Sequence, residues 1–539
     1  MNESLALSKA PELFFGLVAP IGVDLDLVTG VLDETLHEMD YETQLFRFTE
    51  LMREIPLRKP LGASRYIQSI QERIAYANEV RRHLGDDALA SLAVSAVRAF
   101  RAKKRKSEKE AGGSKADPPA KGESPEETPL SKQAYIFRQI KRPEEVALLR
   151  SIYGRQFVLI SAYAPQEFRR RRIADLERQS RGGLISEVDA INLAQSLVVQ
   201  DAKESYDVHG QNVRDAFPLG DVFIDATSRP HCEEMIRRFI NLFYGSNEVT
   251  PTHDEYGMYI AKSASLRSSD LSRQVGAAIF RPSGEVATMG CNEVPKAGGG
   301  TYWTGAPNDS RDFVAGSDPN EMRNIEVLVD IVDRLKKAGY LSPRISRIKD
   351  PYQIGKRLLK NRKFSDSRIM SLIEFGRIIH AEMSAISDAS RNGISVDQCT
   401  LYCTTFPCHL CAKHIVAAGI CRVVYMEPYP KSYASDLHQD SIAVDYLGTT
   451  DKVRFDTFIG VSPYRYRDLF EKGKRKYSSG VVQRWNKGTK RPMIEVYYPS
   501  YFKAERQAVA LMRGKLEHLV AKKRSRRRNH NRNRRRARR

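Results

Sequence analysis

Five of the chain's seven cysteines crowd into residues 399–421. Two of them, Cys408 and Cys411, stand three apart directly after Pro407 in the run TTFPCHLCA. Proline suits the first turn of a helix, where its missing N–H would have no partner, so PCHLCAKHIVAAG predicts a helix that opens at the cysteines. Residues three apart share one face of that first turn. The positive end of a helix favours thiolates, and two thiolates at this spacing make half of a tetrahedral zinc site. The other half has to come from elsewhere in the chain. Two distant segments must therefore meet, which constrains the fold more than any other feature of the sequence.

The cysteines are odd in number and sparse, which argues against a disulfide framework. A zinc ribbon would need a second pair. Cys399 and Cys403 are four apart in CTLYC, a strand-like run that turns both side chains to one face, read as the core. A thioredoxin-like redox pair would follow a first strand near the N-terminus, and this pair does not. The run IIHAEMSAI at 378–386 offers His380, with Glu382 two residues on and 25 residues before Pro407. One histidine and two cysteines leave a fourth position for water, the catalytic arrangement. His409 and His414 are read as residues on the helix surface.

The order H-x-E followed by P-C-x-x-C resembles the signature of zinc-dependent nucleobase deaminases. The resemblance implies Zn2+ held by His380, Cys408 and Cys411, with Glu382 as the proton shuttle. Zinc makes water acidic enough to attack C4 of cytosine near neutral pH. Glu382 is placed to take the water's proton, protonate ring N3 and then protonate the departing ammonia.

Residues 253–430 resemble the dCMP-type deaminases more closely. RSSDLSRQVGAAIF at 267–280 is similar to that family's first strand, and MGCNE at 289–293 to its glycine-x-asparagine. These matches imply Asn292 and Arg273 as substrate-binding residues. Asparagine is an apt reader of a sugar hydroxyl, being donor and acceptor at once. The family's H-x-E normally follows a short connection. Here a polar, glycine-bearing excursion at about 296–370 intervenes, with its own helical stretch EVLVDIVDRLKKAG.

Upstream, apolar runs at 12–22, 157–165 and 221–227 alternate with helical patterns, which predicts a parallel sheet wound with helices. GLVAPIGVDLD at 16–26 resembles the P-loop of small-molecule kinases, implying Gly16 and Gly22 as nucleotide-binding residues. Leu25 stands where the phosphate-binding lysine belongs, Asp26 where the magnesium-binding hydroxyl belongs, and Asp24 where a glycine belongs. Losing the lysine removes the main point charge on the phosphates, so a nucleotide-sensing or purely structural role is expected rather than phosphoryl transfer. The arginines at 169–172 resemble a kinase lid or make a solvated helix face.

A degenerate P-loop kinase-like domain joined to a dCMP-type deaminase resembles the bacterial antiphage deoxycytidylate deaminases, over about residues 12–500. The expected organisation is α/β. A P-loop kinase-like parallel-sheet domain at 10–248 carries a disordered insertion at about 101–130. A cytidine-deaminase-like α/β/α sandwich around a mixed five-stranded sheet follows at 252–505, and then a disordered Arg-rich tail at 520–539. The family implies conversion of dCMP, dCTP or both to the uracil nucleotides by a homo-oligomer, in defence by nucleotide depletion, with a regulatory nucleotide as a further partner.

The tail falls outside that pattern. Of the net charge of +21, twelve charges sit in KKRSRRRNHNRNRRRARR at 522–539, leaving +9 for the rest. Such a run attracts RNA or DNA. The competing expectation is therefore an RNA- or DNA-editing deaminase recruited through the tail, although the tail lacks the aromatic residues of a base platform. Charged residues make up 28% of the chain and no stretch reaches about 20 apolar residues. No membrane partner and a cytoplasmic location are expected.

Overall fold

The computed structural model of the protein describes residues 10–57, 61–110, 125–202, 204, 207–361, 364, 367–429, 432–446, 448, 450–472, 492 and 501–536. The chain forms two compact units. One comprises the residues up to Pro251 and those from Ile459 onward; the other is Thr252–Phe458.

The first unit is built on strands β1 (Leu13–Val18), β2 (Glu42–Arg47), β3 (Gln133–Ile140), β4 (Phe157–Tyr163) and β5 (Val222–Asp225). With the later β12 (Gly460–Val461) they form one sheet in the order β12-β5-β4-β1-β3-β2. The pairs β1/β3, β1/β4, β2/β3 and β4/β5 are parallel, and β12 is antiparallel to β5. The central strand, LFFGLV, is apolar throughout because both its faces are buried. Leu13, Phe15 and Leu17 share a core with the helices Leu25–Glu38 and Arg229–Phe243. Phe14, on the opposite face, stacks on Tyr135 and Tyr153.

Periodicity located β1, β4 and β5. It did not mark β2, a half-buried edge strand with the polar sequence ETQLFR, or the two-residue β12. Two further differences share one cause. Residues 101–110, expected in a disordered insertion, continue the helix Ala88–Glu110, whereas 111–124 lie outside the described residues. The second unit was expected to run to 505, but the helix Tyr501–Arg536 belongs to the first. Arg101 joins the two. It is fully buried, donates from Nε to both Glu12 oxygens at 2.9 and 3.1 Å, and donates to Glu505 at 2.6 and 2.9 Å. A buried ion cluster thus does here what apolar residues do elsewhere, and composition does not reveal it. The backbone stays helical through Arg536, so most of the 520–539 segment expected to be disordered is helix.

The second unit carries β6 (Gly276–Phe280), β7 (Val286–Cys291), β8 (Thr400–Thr405), β9 (Arg422–Glu427), β10 (Ile442–Val444) and β11 (Val453–Thr457). Their order is β10-β11-β9-β8-β6-β7. Strands β8 to β11 run parallel, and β6 is antiparallel to both β7 and β8. The expected hairpin around the Pro-Ser-Gly turn is β6 and β7, with Gly284 at φ +100°. The sheet is mixed as expected but has six strands instead of five, because the segment after β9 adds two. The 296–370 excursion folds around a small core of Leu328, Val332 and Ile354 between the helices Pro319–Lys337 and Pro351–Leu359. Among the described residues, no helix is long and apolar enough to cross a membrane.

Candidate active site

Two helix starts in the second unit carry the predicted ligands. His380 is the N-cap of the helix Ala381–Arg391, and Cys408 is the N-cap of the helix His409–Ala417. The helix therefore opens at His409, two residues after Pro407, because the Cys408 sulfur takes the capping role and accepts the Cys411 N–H at 3.4 Å. Both helices lie against the sheet of β6 to β9, in the core that also holds Cys399 and Cys403. These two cysteines are buried core residues, as their strand pattern predicted. His414 is exposed, and the His409 ring packs edge-on to Tyr433 at 5.8 Å.

His380 Nδ1 lies 3.2 Å from Cys408 Sγ and 3.3 Å from Cys411 Sγ. One donor atom from each of the three residues falls within 4.8 Å of the other two. Tetrahedral zinc with bonds of about 2.3 Å to sulfur and about 2.0 Å to nitrogen places such atoms about 3.5 Å apart. The cluster thus needs to open by only a few tenths of an ångström. Its electrostatics also fit a cation. A hydrogen bond from the Cys411 thiol, helped by His380, lowers Cys408 to about 4, well inside the thiolate range. Burial would lower His380, but hydrogen bonding to Cys408 and its charge outweigh burial and hold the imidazole up at about 9. Cys411, facing that thiolate, is pushed up. A buried, partly ionised His/Cys/Cys set with no carboxylate among its ligands fits zinc by donor chemistry as well as by spacing.

Glu382 lies in the first turn beyond His380, with 4% of its surface exposed. Burial, then the Cys408 charge, raises its carboxyl. It is not part of the three-residue cluster, and the Cys403 thiol hydrogen-bonds to its carboxyl.

The two predicted substrate residues are placed differently. Asn292 is buried and its amide serves the backbone: Oδ1 accepts from Val275 N at 2.7 Å and Nδ2 donates to the Arg273 carbonyl at 2.7 Å. It clamps the approach to β6. The Arg273 guanidinium forms an ion pair with Glu427 at the end of β9. Glu427 and Tyr429 are residues of this site that the sequence did not single out. Both lie in the run MEPYPKS, but nothing in its pattern says which distant residue they face. Glu293 is another. It is buried, accepts from the Ser269 amide and hydroxyl, and its backbone bridges Ile379 beside the histidine ligand.

In the first unit, Gly16 lies inside β1, where a Cβ would meet Ile140 and Phe157 at 2.6 and 2.7 Å. Gly22 lies in the following loop at φ +91°, against Arg169. The loop borders a cavity of about 340 Å³. Asp24 caps the helix Leu25–Glu38, accepting from Asp26 N and Leu27 N at 3.1 Å, and pairs with Arg172 at 2.6 Å. Asp201 accepts the Ile21 amide at 2.7 Å and pairs with Lys141 at 2.7 Å. Of the arginine cluster, Arg169 bonds to the Ile21 carbonyl, while Arg170 and Arg171 pair with Glu167.

Residues 251–427 match the family model of the cytidine and deoxycytidylate deaminase zinc-binding region. The deoxycytidylate deaminase of Enterobacteria phage T4 is 50% identical over 54 residues, 10% of this chain and 28% of that protein. ComE operon protein 2 of Bacillus subtilis is 34% identical over 107 residues, 20% of this chain and 50% of that protein. A crystal structure of dCMP deaminase from the cyanophage S-TIM5 in complex with dCMP and dUMP aligns at 20% identity and a TM-score of 0.21, covering 39% of this chain and 99% of that one. The chain spans no more than half the length of these two curated relatives. The segment that matches the zinc-binding region of the cytidine and deoxycytidylate deaminases is also the one that brings His380, Cys408 and Cys411 together.

Proposed function

We propose that the second unit hydrolyses the amino group from deoxycytidine nucleotides, dCMP, dCTP or both, giving deoxyuridine nucleotides and ammonia. The observation that carries this reading is the convergence of His380, Cys408 and Cys411 beside a buried Glu382 that is left out of the cluster. Zinc bound there would supply the Lewis acidity that makes water a nucleophile near neutral pH. The chain's own residues do the rest. Cys408 and Cys411, fixed three apart on one helix, and His380, fixed at the start of another, hold the cation. Glu382 takes a proton from the attacking water and passes it to ring N3. It then carries the second proton to the departing amine, so that one water enters and one ammonia leaves.

The first unit serves as a P-loop kinase-like partner domain that senses nucleotide or supports the fold, with Gly16 in the strand before its loop and Gly22 within that loop. Cytoplasmic homo-oligomers would deplete the cytosine deoxynucleotide pool during phage infection. The test is mass-spectrometric assay of the purified, zinc-loaded protein against all cytosine nucleotides, with and without other nucleotides present. Turnover of dCMP or dCTP is expected; turnover of none of them sinks the reading. The basic helix ending near Arg536 favours a second reading, RNA or DNA editing with the tail as the recruiting element. Uracil appearing in a cytosine-containing oligonucleotide, with free nucleotides untouched, would select it.

A further inference from the structure

Arg273 has a fixed backbone and a half-exposed head. Its amide donates to Asp270 Oδ1 at 3.2 Å, its carbonyl accepts from Asn292 Nδ2 at 2.7 Å, and two residues on, the Val275 amide is held by Asn292 Oδ1. The guanidinium is left to find a partner, and it takes the carboxylate of Glu427. The two side chains are 44% and 25% exposed. Glu427 is itself fixed close to the metal cluster. Its carbonyl accepts the Phe406 amide at 2.7 Å, two residues before the ligand Cys408. Glu427 thus ties the Arg273 head to the segment that leads into the ligand Cys408. The planar fork of Arg273, suited to a carboxylate, suits a phosphate equally well.

We propose that Glu427 tempers the affinity for a 5′-phosphate by holding the Arg273 fork until a nucleotide phosphate takes its place. This rests on the reading of the second unit as a nucleotide deaminase and adds the residue that sets how strongly Arg273 favours nucleotide over nucleoside. A half-exposed ion pair is weak, so a dianionic phosphate with three acceptor oxygens displaces the carboxylate. A nucleoside, with nothing to offer the fork, leaves the pair closed and gains nothing from Arg273. Glu427 is a positioning residue: it acts through Arg273 and touches no reacting atom.

The experiment uses full-length, zinc-loaded protein and compares dCMP with deoxycytidine in turnover, and dUMP with deoxyuridine in equilibrium binding. Glu427→Gln removes the competing charge and keeps the shape. It is expected to lower KM for dCMP and Kd for dUMP about three- to fivefold, as loss of a pair of this exposure implies. The effect should fall in KM rather than kcat, with no matching gain for the nucleosides. Arg273→Ala should raise KM for dCMP at least about tenfold and bring dUMP affinity towards that of deoxyuridine; Arg273→Lys should recover part of the loss. A Glu427→Gln protein with an unchanged ratio of dUMP to deoxyuridine affinity, or with both affinities shifted alike, overturns the proposal. Because the binding arms need no turnover, they decide the role of Glu427 even if the wild-type protein deaminates nothing, a result that would instead sink the reading above.

Discussion

The zinc-ligand cluster and the loop after β1 are both helix starts rich in charge, but their side chains are satisfied in opposite ways. In the second unit, His380, Cys408 and Cys411 face one another, and a thiolate and an imidazolium are left to share a proton where a cation would serve all three. In the first unit, the helix start is capped by Asp24, Asp24 is paired with Arg172, and Asp201 ties Lys141 to the loop. Its carboxylates sit where a phosphate would be sought. The lesson is that a site for an external group shows as a set of side chains with only each other for partners. A loop whose following helix starts with aspartate supplies its own anion.

The comparison breaks most readily at the metal. Cys411→Ala removes one of the three clustered donors, so zinc content should fall below one per chain and deamination to background, read by elemental analysis and product formation. Glu382→Ala should leave zinc bound while lowering kcat by about 10²–10⁴, the usual range for a proton shuttle; wild-type kcat in that variant would refute the assignment of roles.

The first unit answers in stability rather than turnover. Arg101→Met leaves Glu12 and Glu505 buried together without their cation and should cost about 3–5 kcal/mol in a denaturant titration. A loss below about 1 kcal/mol would mean that the Tyr501–Arg536 helix is not held by this cluster. The smallest effect is expected of Asp24→Ala, which removes an N-cap worth about 1 kcal/mol and should leave kcat for dCMP within error. If that substitution abolished deamination, the contrast between a self-satisfied loop and a working site would be lost.

Much of this was legible in the chain. Helix geometry, which turns a three-residue interval into a shared face, paired Cys408 with Cys411, and the resemblance of H-x-E followed by P-C-x-x-C to the deaminase signature added His380 and Glu382. Uninterrupted apolar runs located β1, β4 and β5, since a central parallel strand must be apolar on both sides. Composition misjudged residues 101–110 and the span from 459 onward. A helix full of Lys and Arg reads as solvated unless one knows that Arg101 meets Glu12, 89 residues away, and Glu505, 404 residues away. Asn292 had the right chemistry for a sugar reader, but its amide is used on the backbone of Arg273 and Val275.

By itself the sequence determined which residues can act together over one or two turns: the thiol pair, the histidine with its glutamate, and the aspartate at the head of the first helix. These follow from local backbone geometry and repeat wherever the spacing repeats. Only the tertiary structure decided that Arg273 meets Glu427, that Arg101 gathers two distant carboxylates, and that the segment after Phe458 returns to the first sheet. Such pairings depend on loop closure over tens to hundreds of residues, and on the cost of leaving a buried charge unpaired, which is set by what surrounds the charge once the chain is folded.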